Sequence, residues 1–158
     1  MTSIFQSERC IIRSFILDDL HEFLDYRNDL EWMKYQGFKG LSKKEYEKAL
    51  LIKPSLDAGA QFAITTKTDK RLIGDVYLKK EDDAFWIGYT ISPLFKRQGY
   101  AYEVICSMII WINQQGDFNI KAAVKTENTP SIKLLEKLGF SQIKTEDDGS
   151  IFLLDKKK

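Results

Sequence analysis

The sequence predicts an α/β domain in which a mixed β-sheet is flanked by helices. A length of 158 residues suits a single domain, over residues 1–158, with a sizeable core. Short β-rich apolar runs precede Gly99, whereas Gly99 to Gln115 is apolar nearly all round, which is typical of a helix that lies against a sheet. A strand pattern at Ile120 to Lys125 follows that helix, and this order favours parallel pairing through a βαβ crossover.

The first half of the chain carries signals for one strand, two helices and then three strands. Arg9 to Ile16 has a strand pattern, and Asp18-Asp19 offers an N-cap for a helix whose apolar residues fall on helical spacing. Ser42-Lys43-Lys44-Glu45 is a capping box, which predicts a second helix from about Lys43 to the Pro54 region. The three strands that follow are predicted at Gln61 to Thr66, Arg71 to Lys80 and Ala84 to Ile91.

The second half contains one strand between two helices and ends in a hairpin. Gly116-Asp117 ends the long helix, and Thr129 is a good N-cap for the last helix, with Pro130 at its first position and Gly139 as its stop. Asp147-Asp148-Gly149 is a hairpin turn signal. The final strands are predicted at Phe140 to Lys144 and Ser150 to Leu154, which completes the order β-αα-βββ-α-β-α-ββ.

Charge and hydropathy exclude several function classes. The net charge of +1 argues against a broad basic face for nucleic acid, and the basic clusters Lys43-Lys44 and Lys156 to Lys158 are interpreted as solvated surface. No apolar run is long enough to cross a bilayer and no signal peptide is recognised, so we expect a cytoplasmic protein without a membrane partner. Cys10 and Cys106 are interpreted as buried free thiols and His21 as a surface or interface residue, so no metal is expected.

The segment from Ser92 to Glu103 has the properties of an anion-binding device. A strand stops at Ser92-Pro93, the basic residues Lys96 and Arg97 follow, and Gly99 opens the long helix. The first N–H groups of a helix have no partner inside it and lie at the positive end of its dipole. Gly99 has no Cβ, so a phosphate can approach the backbone closely. The segment predicts a pyrophosphate cradle, although such a turn is as often an ordinary strand-to-helix connection, and neither a Walker loop nor a Rossmann fingerprint is present.

Four blocks of sequence resemble the GNAT family of N-acetyltransferases. Lys96-Arg97-Gln98-Gly99-Tyr100-Ala101 resembles that family's acetyl-CoA pyrophosphate loop, Gln/Arg-x-x-Gly-x-Gly/Ala, with Lys96 as a conservative departure at the first position. The segment from Glu127 to Phe140 is similar to the family's Asn-x-x-Ser, helix and Gly-Phe. Glu8 to Arg13 and Leu72 to Asp75 are similar to the opening and third strands of the RimJ/RimL-like branch. The order and spacing of the blocks cover nearly the whole chain.

The resemblance implies how a cofactor would be held. In this family two adjacent parallel strands splay apart and the pantetheine arm of acetyl-CoA lies between them, which corresponds here to Ala84 to Ile91 and Ile120 to Lys125. A bulge near Tyr89 to Ile91 would supply an N–H to the thioester carbonyl. Glu103 is expected to complement the helix dipole rather than to contact an anion. The residues implied to bind the cofactor are Ile91, Lys96, Arg97, Gln98, Gly99, Tyr100, Ala101, Tyr102 and Asn128.

The resemblance also implies roles near the reacting thioester. Ser131 matches a position near the thiol and would donate to the departing thiolate, with a first-turn helix residue as the alternative interpretation. Asn128 would bond the cofactor arm, or would be a plain turn residue. Many relatives carry a glutamate immediately before Ile-Gly-Tyr, where this sequence has Trp86, so no general base is assigned. Tyr89 is a catalytic candidate, and as a base it would need a depressed pKa or a bridging water. Asp75, Glu81, Asp82 and Asp83 are nearby in the sequence, but the last three fit a solvated turn better.

Aromatic residues are the candidates for the acceptor site. Strand alternation places Trp86, Gly88 and Thr90 on one face and Phe85, Ile87 and Tyr89 on the other. Trp86 would line the acceptor pocket, together with Trp32, Tyr35 and Phe38 from the irregular segment 30–41, unless these residues pack in the core.

The sequence therefore predicts an acetyl-CoA-dependent N-acetyltransferase that acts without a metal or a covalent acyl-enzyme. Its acceptor would be a primary amine, either a protein N-terminus or a small molecule. The alternatives are a non-catalytic acyl-CoA-binding or interaction module on the same fold, and a nucleotide-binding domain for which ATP or NAD competes as well as CoA does. The resemblance also allows a homodimer.

Overall fold

The computed structural model describes residues 3–155, so the predicted basic cluster at Lys156 to Lys158 lies outside the described residues. Its α-helices are α1 to α4 and its strands are β1 to β8, with short 3-10 turns at Leu17–Asp19 and Pro93–Phe95. In chain order the elements are β1 Ser3–Gln6, β2 Cys10–Arg13, α1 Leu20–Arg27, α2 Lys43–Leu50, β3 Ala60–Thr66, β4 Leu72–Glu81, β5 Ala84–Ile91, α3 Tyr100–Gln115, β6 Asn119–Lys125, α4 Thr129–Lys137, β7 Ser141–Thr145 and β8 Gly149–Leu154.

All eight strands form one mixed sheet in the order β1-β2-β3-β4-β5-β6-β8-β7. Neighbouring strands pair antiparallel, except that β5 and β6 pair parallel on either side of α3. This is the crossover that the sequence predicted, and it confirms the α/β class with a mixed sheet. None of the helices within residues 3–155 is long and apolar enough to span a bilayer.

Several element boundaries differ from the sequence prediction. Strand β1 was missed, because a four-residue strand followed by the polar residues Ser7 to Arg9 has too little periodicity to be recognised. The predicted strand Arg9 to Ile16 is shorter, since β2 stops at Arg13. The N-cap of α4 is Asn128 rather than Thr129, because the Asn128 Oδ1 accepts the N–H of Ser131.

Two apolar clusters fill the space between the sheet and the helices. The larger one contains the buried face of α3, formed by Val104, Ile105, Met108 and Ile112, together with inward residues of the strands. The smaller one joins α1 and α2 to β3 and contains Phe23, Met33 and Tyr46. Phe38 packs edge-on against Tyr46 in this second cluster, with ring centroids 5.3 Å apart, so Phe38 is a core residue.

One prediction about burial needs correction. Helix α3 lies against the sheet with most of its residues buried or half-buried, although Ile110 on its outer face is 59% exposed. Cys10 is fully buried as expected, but Cys106 is only half-buried. His21 is exposed on α1, as predicted.

Candidate active site

A wedge-shaped opening separates the carboxyl-terminal halves of β5 and β6. Their parallel pairing extends from Ala84 with Asn119 to Trp86 with Lys121 and then stops, although β5 continues to Ile91 and β6 to Lys125. Each strand stays fully paired on its other side, β5 with β4 and β6 with β8. The two strands therefore diverge in the way that the resemblance implied, and the sheet has an open cleft at this point.

The backbone of β5 presents polar groups to this wedge. The Ser92 N–H donates to the Ile73 carbonyl of the β4 side at 2.7 Å. Backbone groups alternate in direction along a strand, so those of Ile91, Tyr89 and Ile87 face away from β4 and toward β6. The indole Nε1 of Trp32 donates to the Ile91 carbonyl at 2.9 Å, which confirms that direction.

The predicted β-bulge near Tyr89 to Ile91 is absent. The register of β4 with β5 runs unbroken from Gly74 opposite Ile91 to Glu81 opposite Ala84. Any N–H offered to a thioester carbonyl therefore comes from a regular strand residue, since no extra residue twists β5 at this point.

The loop between β5 and α3 has the strained backbone expected of a cradle. Ser92 caps the 3-10 turn, and its Oγ accepts the N–H of Leu94. Arg97 has a φ of 62° and Gly99 has a φ of 81°, both in the left-handed region that favours glycine. Gly99 then serves as the N-cap of α3, so the free N–H groups of the first turn of α3 open next to Lys96 and Arg97.

A network around Glu103 joins this loop to the turn between β1 and β2. Glu103 accepts hydrogen bonds from the Ser7 hydroxyl, the Arg9 N–H at 2.8 Å and the Arg9 Nε at 2.6 Å. Partial burial disfavours its charged form, but the hydrogen bonds of Ser7 and Arg9 outweigh this effect and lower the pKa of Glu103. Glu103 forms an ion pair with Arg9 and accepts from the Ser7 hydroxyl, so its role extends beyond complementing the helix dipole.

A cavity of about 790 Å³ connects the loop with the wedge. It is bounded by the loop, the first turns of α3 and α4, the end of β5 and the segment 29–36. Its lining contains most of the predicted site residues, namely Trp32, Tyr35, Tyr89, Ile91, Lys96, Arg97, Gly99, Tyr100, Ala101, Tyr102, Asn128 and Ser131. Three predicted residues lie outside this lining: Gln98, whose carbonyl accepts from Arg9, and the acceptor-site candidates Phe38 and Trp86.

Tyr89 and Ser131 meet at the inner end of this cavity. The Tyr89 hydroxyl and the Ser131 Oγ are 2.6 Å apart and form a hydrogen bond in which either hydroxyl can donate. Burial raises the pKa of Tyr89, and the hydrogen bond to Ser131 offsets this only in part. Tyr89 is therefore a protonated phenol at neutral pH, which suits a proton donor and does not meet the condition for a base.

Trp86 lies at a second cavity, of about 330 Å³, which is lined by residues 86–90 of β5. This cavity also contains Phe38, Gln61 and Tyr77, and it meets the first cavity at Tyr89 and at the neighbouring Thr90. The face assignment follows the predicted alternation, since Thr90 contacts Arg27 of α1 while Tyr89 contacts Ser131 of α4. Trp32 and Tyr35 thus lie at the larger cavity and apart from Trp86.

Asp75 is the buried polar centre beside the second cavity, and its side chain is 1% exposed. It accepts hydrogen bonds from the Tyr26 hydroxyl, from Arg27 Nη2 at 2.6 Å and from Gln61 Nε2 at 2.8 Å. Burial opposes the charge of Arg27, but Asp75 and its neighbours outweigh this and raise the pKa of Arg27. The Arg27 Nε is buried without a hydrogen-bond partner among the described residues.

Sequence reasoning missed Arg9, Arg27 and Gln61. Each is a polar residue inside a strand or helix pattern, and only Arg27, a buried charge on the apolar face of α1, carried a signal that sequence reasoning could have used. Glu81, considered as a base, instead accepts the Trp86 Nε1 at 3.2 Å at the rim of the second cavity. No group of His, Cys, Asp and Glu within residues 3–155 has the arrangement of a metal site.

Comparisons with known proteins agree with this architecture. The family model of the acetyltransferase (GNAT) domain matches residues 9–141. An uncharacterised N-acetyltransferase of Bacillus licheniformis is 30% identical over 144 residues, which cover 86% of this chain and 81% of that protein. The crystal structure of spermidine N-acetyltransferase from Vibrio cholerae in complex with CoA and spermine has a TM-score of 0.80 at 20% identity, with 94% and 96% of the two chains covered.

A second solved structure has the same fold. RimL, a ribosomal alpha-N-protein acetyltransferase in complex with coenzyme A, has a TM-score of 0.80 at 14% identity and covers 98% of each chain. These two likenesses establish the shared fold, and the matches over the sequence establish the family and its reaction class. The chain therefore belongs to the GNAT family of acetyltransferases, and it is an N-acetyltransferase.

Proposed function

We propose that this protein transfers an acetyl group directly from acetyl-CoA to a primary amine. The observation that carries the proposal is the continuous path from the loop at Lys96 to Tyr102, through the wedge between β5 and β6, to the hydroxyl pair of Tyr89 and Ser131. A pyrophosphate at the loop and a thioester at the pair are joined in CoA by an extended arm, and the wedge has an exposed strand edge along which such an arm can lie.

The donor would be held mainly by backbone groups. The Ile91 N–H, both backbone groups of Tyr89 and the Ile87 carbonyl face the wedge and can pair with the amides of the arm as an added strand would. The first-turn N–H groups of α3 and the charges of Lys96 and Arg97 favour the pyrophosphate. Trp32 also lies at this edge, since its indole occupies the Ile91 carbonyl.

Tyr89 would supply the proton that the leaving group needs. As the amine nitrogen attacks the thioester carbonyl carbon, the carbon–sulfur bond breaks and a thiolate departs. The phenol of Tyr89 carries a proton at neutral pH, and Ser131 holds its hydroxyl in place at 2.6 Å. The Tyr89 hydroxyl then donates its proton to the thiolate, so that the leaving group departs as the neutral thiol of CoA. Ser131 supports this proton transfer as the hydrogen-bond partner of Tyr89.

No side chain of the described site is well placed as a base for the amine. Asp75 already accepts three hydrogen bonds, one of them from the Arg27 guanidinium, so its oxygens are poorly suited to take a proton. Tyr89 is protonated, and the Glu81 carboxylate already accepts a hydrogen bond from the Trp86 indole at the rim of the second cavity. The amine would therefore react as the free base and lose its second proton to water.

The second cavity is the proposed acceptor site, because it meets the donor path at Tyr89 and Thr90. Its walls include four aromatic residues, namely Phe38, Tyr77, Trp86 and Tyr89. The one carboxylate in its lining, Asp75, is neutralised by Arg27, so nothing there balances the further charges of a polyamine. We therefore expect an acceptor with one reactive amine on a neutral, flat or apolar body, which an N-terminal residue or a small arylalkylamine both provide.

The test is the release of free thiol from acetyl-CoA across a panel of amines. The panel contains a phenethylamine, spermidine and short peptides with free N-termini, and each is compared with its N-methylated or N-acetylated form. Turnover with an aromatic monoamine or a peptide above that with spermidine supports the acceptor class, and the reverse order contradicts it. Binding of acetyl-CoA without turnover on any amine would favour a non-catalytic acyl-CoA-binding module.

Donor binding is tested separately by thermal melting with acetyl-CoA, ATP and NAD. A ligand at a hundred times its dissociation constant stabilises a fold by about 2.7 kcal/mol. A shift with acetyl-CoA alone supports the donor assignment. Equal shifts with ATP or NAD would favour a nucleotide site, and no shift with any of the three would refute the cradle.

A further inference from the structure

We propose that Arg9 is a positioning residue that holds the peptide bond between Gln98 and Gly99 in the orientation that presents the Gly99 N–H to an anion. The inference rests on the proposed function, because the anion in question is the pyrophosphate of the donor. Arg9 lies in the turn between β1 and β2, far from the loop in the sequence, and it is not part of the cavity lining.

The side chain of Arg9 contacts the loop on both sides of Gly99. Its Nη2 donates to the Gln98 carbonyl at 3.0 Å and its Nε donates to Glu103 Oε1 at 2.6 Å. The guanidinium carbon is 4.0 Å from the centroid of the Tyr100 ring, on which it stacks. A planar guanidinium with donors in a fixed fork can make these three contacts at once, which a single ammonium cannot.

The planarity of the peptide bond transmits the effect of this contact to the cradle. Residues 3–155 contain no cis peptide bond, so the carbonyl of Gln98 and the N–H of Gly99 point in opposite directions. Arg9 holds the carbonyl on the outer side of the loop. The N–H of Gly99 must then point away from Arg9, and Gly99 itself lines the cavity.

The loop needs the restraint that Arg9 supplies, because the residues around Gly99 do not by themselves favour the backbone conformation seen here. Glycine adopts positive and negative φ about equally, so a reversal of the peptide next to Gly99 is sterically permitted. Arg97 is a non-glycine residue at a φ of 62°, a conformation that persists only where the surroundings hold it. Arg9 is itself anchored by Glu103 of α3, which also accepts from Ser7 and the Arg9 N–H, so the restraint comes from the turn between β1 and β2.

The experiment compares the dissociation constants of CoA and of pantetheine, which has the same arm and thiol but no pyrophosphate. Loss of one charge-assisted hydrogen bond predicts that Arg9→Ala weakens CoA binding by about tenfold or more. The affinity for pantetheine should stay unchanged, because pantetheine does not reach the loop. If Arg9 only supported the fold, both affinities would fall together, and that outcome would overturn the proposal.

Two further variants separate orientation from charge. Arg9→Lys keeps the charge but cannot bond Gln98 and Glu103 in the same geometry, so CoA should again bind more weakly. Full CoA affinity in Arg9→Lys would show that charge alone suffices and would overturn the proposal. Glu103→Gln should also weaken CoA binding, since it loosens the anchor of Arg9. This variant replaces Arg9→Ala in the comparison of CoA with pantetheine if Arg9→Ala does not fold.

A matched control is Lys144→Ala, which removes an exposed cation of an ion pair with Glu146 on the far edge strand, with N and O 3.8 Å apart. It should bind CoA as the wild type does. Wild-type CoA binding without turnover would count against the proposed function alone, and unchanged CoA affinity in Arg9→Ala would count against this inference alone. A wild type that does not bind CoA would overturn both.

Discussion

Replacement of Tyr89 by phenylalanine removes one oxygen atom from the centre of the proposed chemistry. The Tyr89 hydroxyl is 2.6 Å from the Ser131 Oγ and lies where the two cavities meet. The phenylalanine ring keeps the packing of the phenol against the larger apolar cluster, so the variant isolates the hydroxyl. If Tyr89 gives its proton to the departing thiolate, Tyr89→Phe must affect the rate far more than the fold.

The two magnitudes can be separated. General acid catalysis by one positioned group contributes about 10² to 10⁴ in rate, which corresponds to roughly 3–5 kcal/mol in the activation free energy. Loss of one part-buried hydrogen bond costs about 1 kcal/mol in the free energy of unfolding. For a domain of this size that cost lowers the melting temperature by about 2–4 °C. We therefore expect a fall of two or more orders of magnitude in kcat with a small change in Tm.

The assay measures kcat and KM for acetyl-CoA by thiol release, with the best amine of the panel at saturation. Tyr46→Phe is the matched control, because it removes a hydroxyl that donates to Asn28 Oδ1 at 2.7 Å in the smaller apolar cluster, away from the wedge. That control should lose some stability and keep its kcat. A kcat for Tyr89→Phe within about threefold of the wild type would refute the assignment of Tyr89 as the acid, since it is less than the weakest general acid effect.

The pH dependence gives a second test of Tyr89. Burial raises the pKa of Tyr89 above its ordinary value of 10.0, so the phenol remains protonated as pH rises through the neutral range. At saturating substrate kcat should therefore not fall between about pH 7 and pH 9. A falling alkaline limb in that range, present in the wild type and lost in Tyr89→Phe, would contradict the raised pKa.

Three other outcomes are expected. Gly99→Val forces a branched residue to a φ of 81°, so it should weaken CoA binding by more than about tenfold and leave pantetheine binding nearly unchanged. An unchanged CoA affinity, measured by calorimetry, would refute the assignment of the loop as a pyrophosphate cradle. Asp75→Ala leaves the Arg27 charge buried and unpaired, at a cost of about 3–5 kcal/mol, so thermal unfolding should move down by roughly 6–20 °C, and an unchanged Tm would be inconsistent with the buried pair. Burial, followed by the charge of Asp75, raises the pKa of Tyr26 above 10.0, so the stability that Tyr26 contributes is present below pH 10.0 and is lost as pH rises above it. Tyr26→Phe should therefore reduce the fall of Tm at alkaline pH. An equally steep fall of Tm in this variant would argue against Tyr26 as its source.

The order of the elements and the place of the loop were predictable because both depend on local signals. The all-round apolar pattern at residues 99–115 predicted α3, and the strand after it predicted the parallel pair. Gly99 was recognised as the start of α3 because a glycine beside basic residues is a local signature. The capping box at Ser42 likewise formed as predicted, and the Glu45 carboxylate accepts the hydrogen bond that the Ser42 N–H donates.

The contacts that complete the site were not predictable, because they join residues that are distant in the sequence. Arg9 meets Glu103 across 94 positions, and Trp32 reaches the Ile91 carbonyl across 59. A sequence pattern reports periodicity and turn chemistry, and neither says which polar residue of one element faces which of another. For the same reason the role of Asp75 stayed open until its three hydrogen-bond donors were located.

By itself the sequence determined the class of the fold, the order of its elements after β1 and the position of the loop before α3, since these follow from short-range periodicity, capping and glycine chemistry. Only the tertiary structure decided that Tyr89 bonds Ser131, that Trp86 and Trp32 lie at different cavities, and that Arg9 bonds the Gln98 carbonyl of the loop. The physical reason is that these contacts depend on the register of the sheet and on where β5 and β6 diverge. A shift of one residue in the register of β5 would turn Tyr89 and Trp86 to the other face of the sheet.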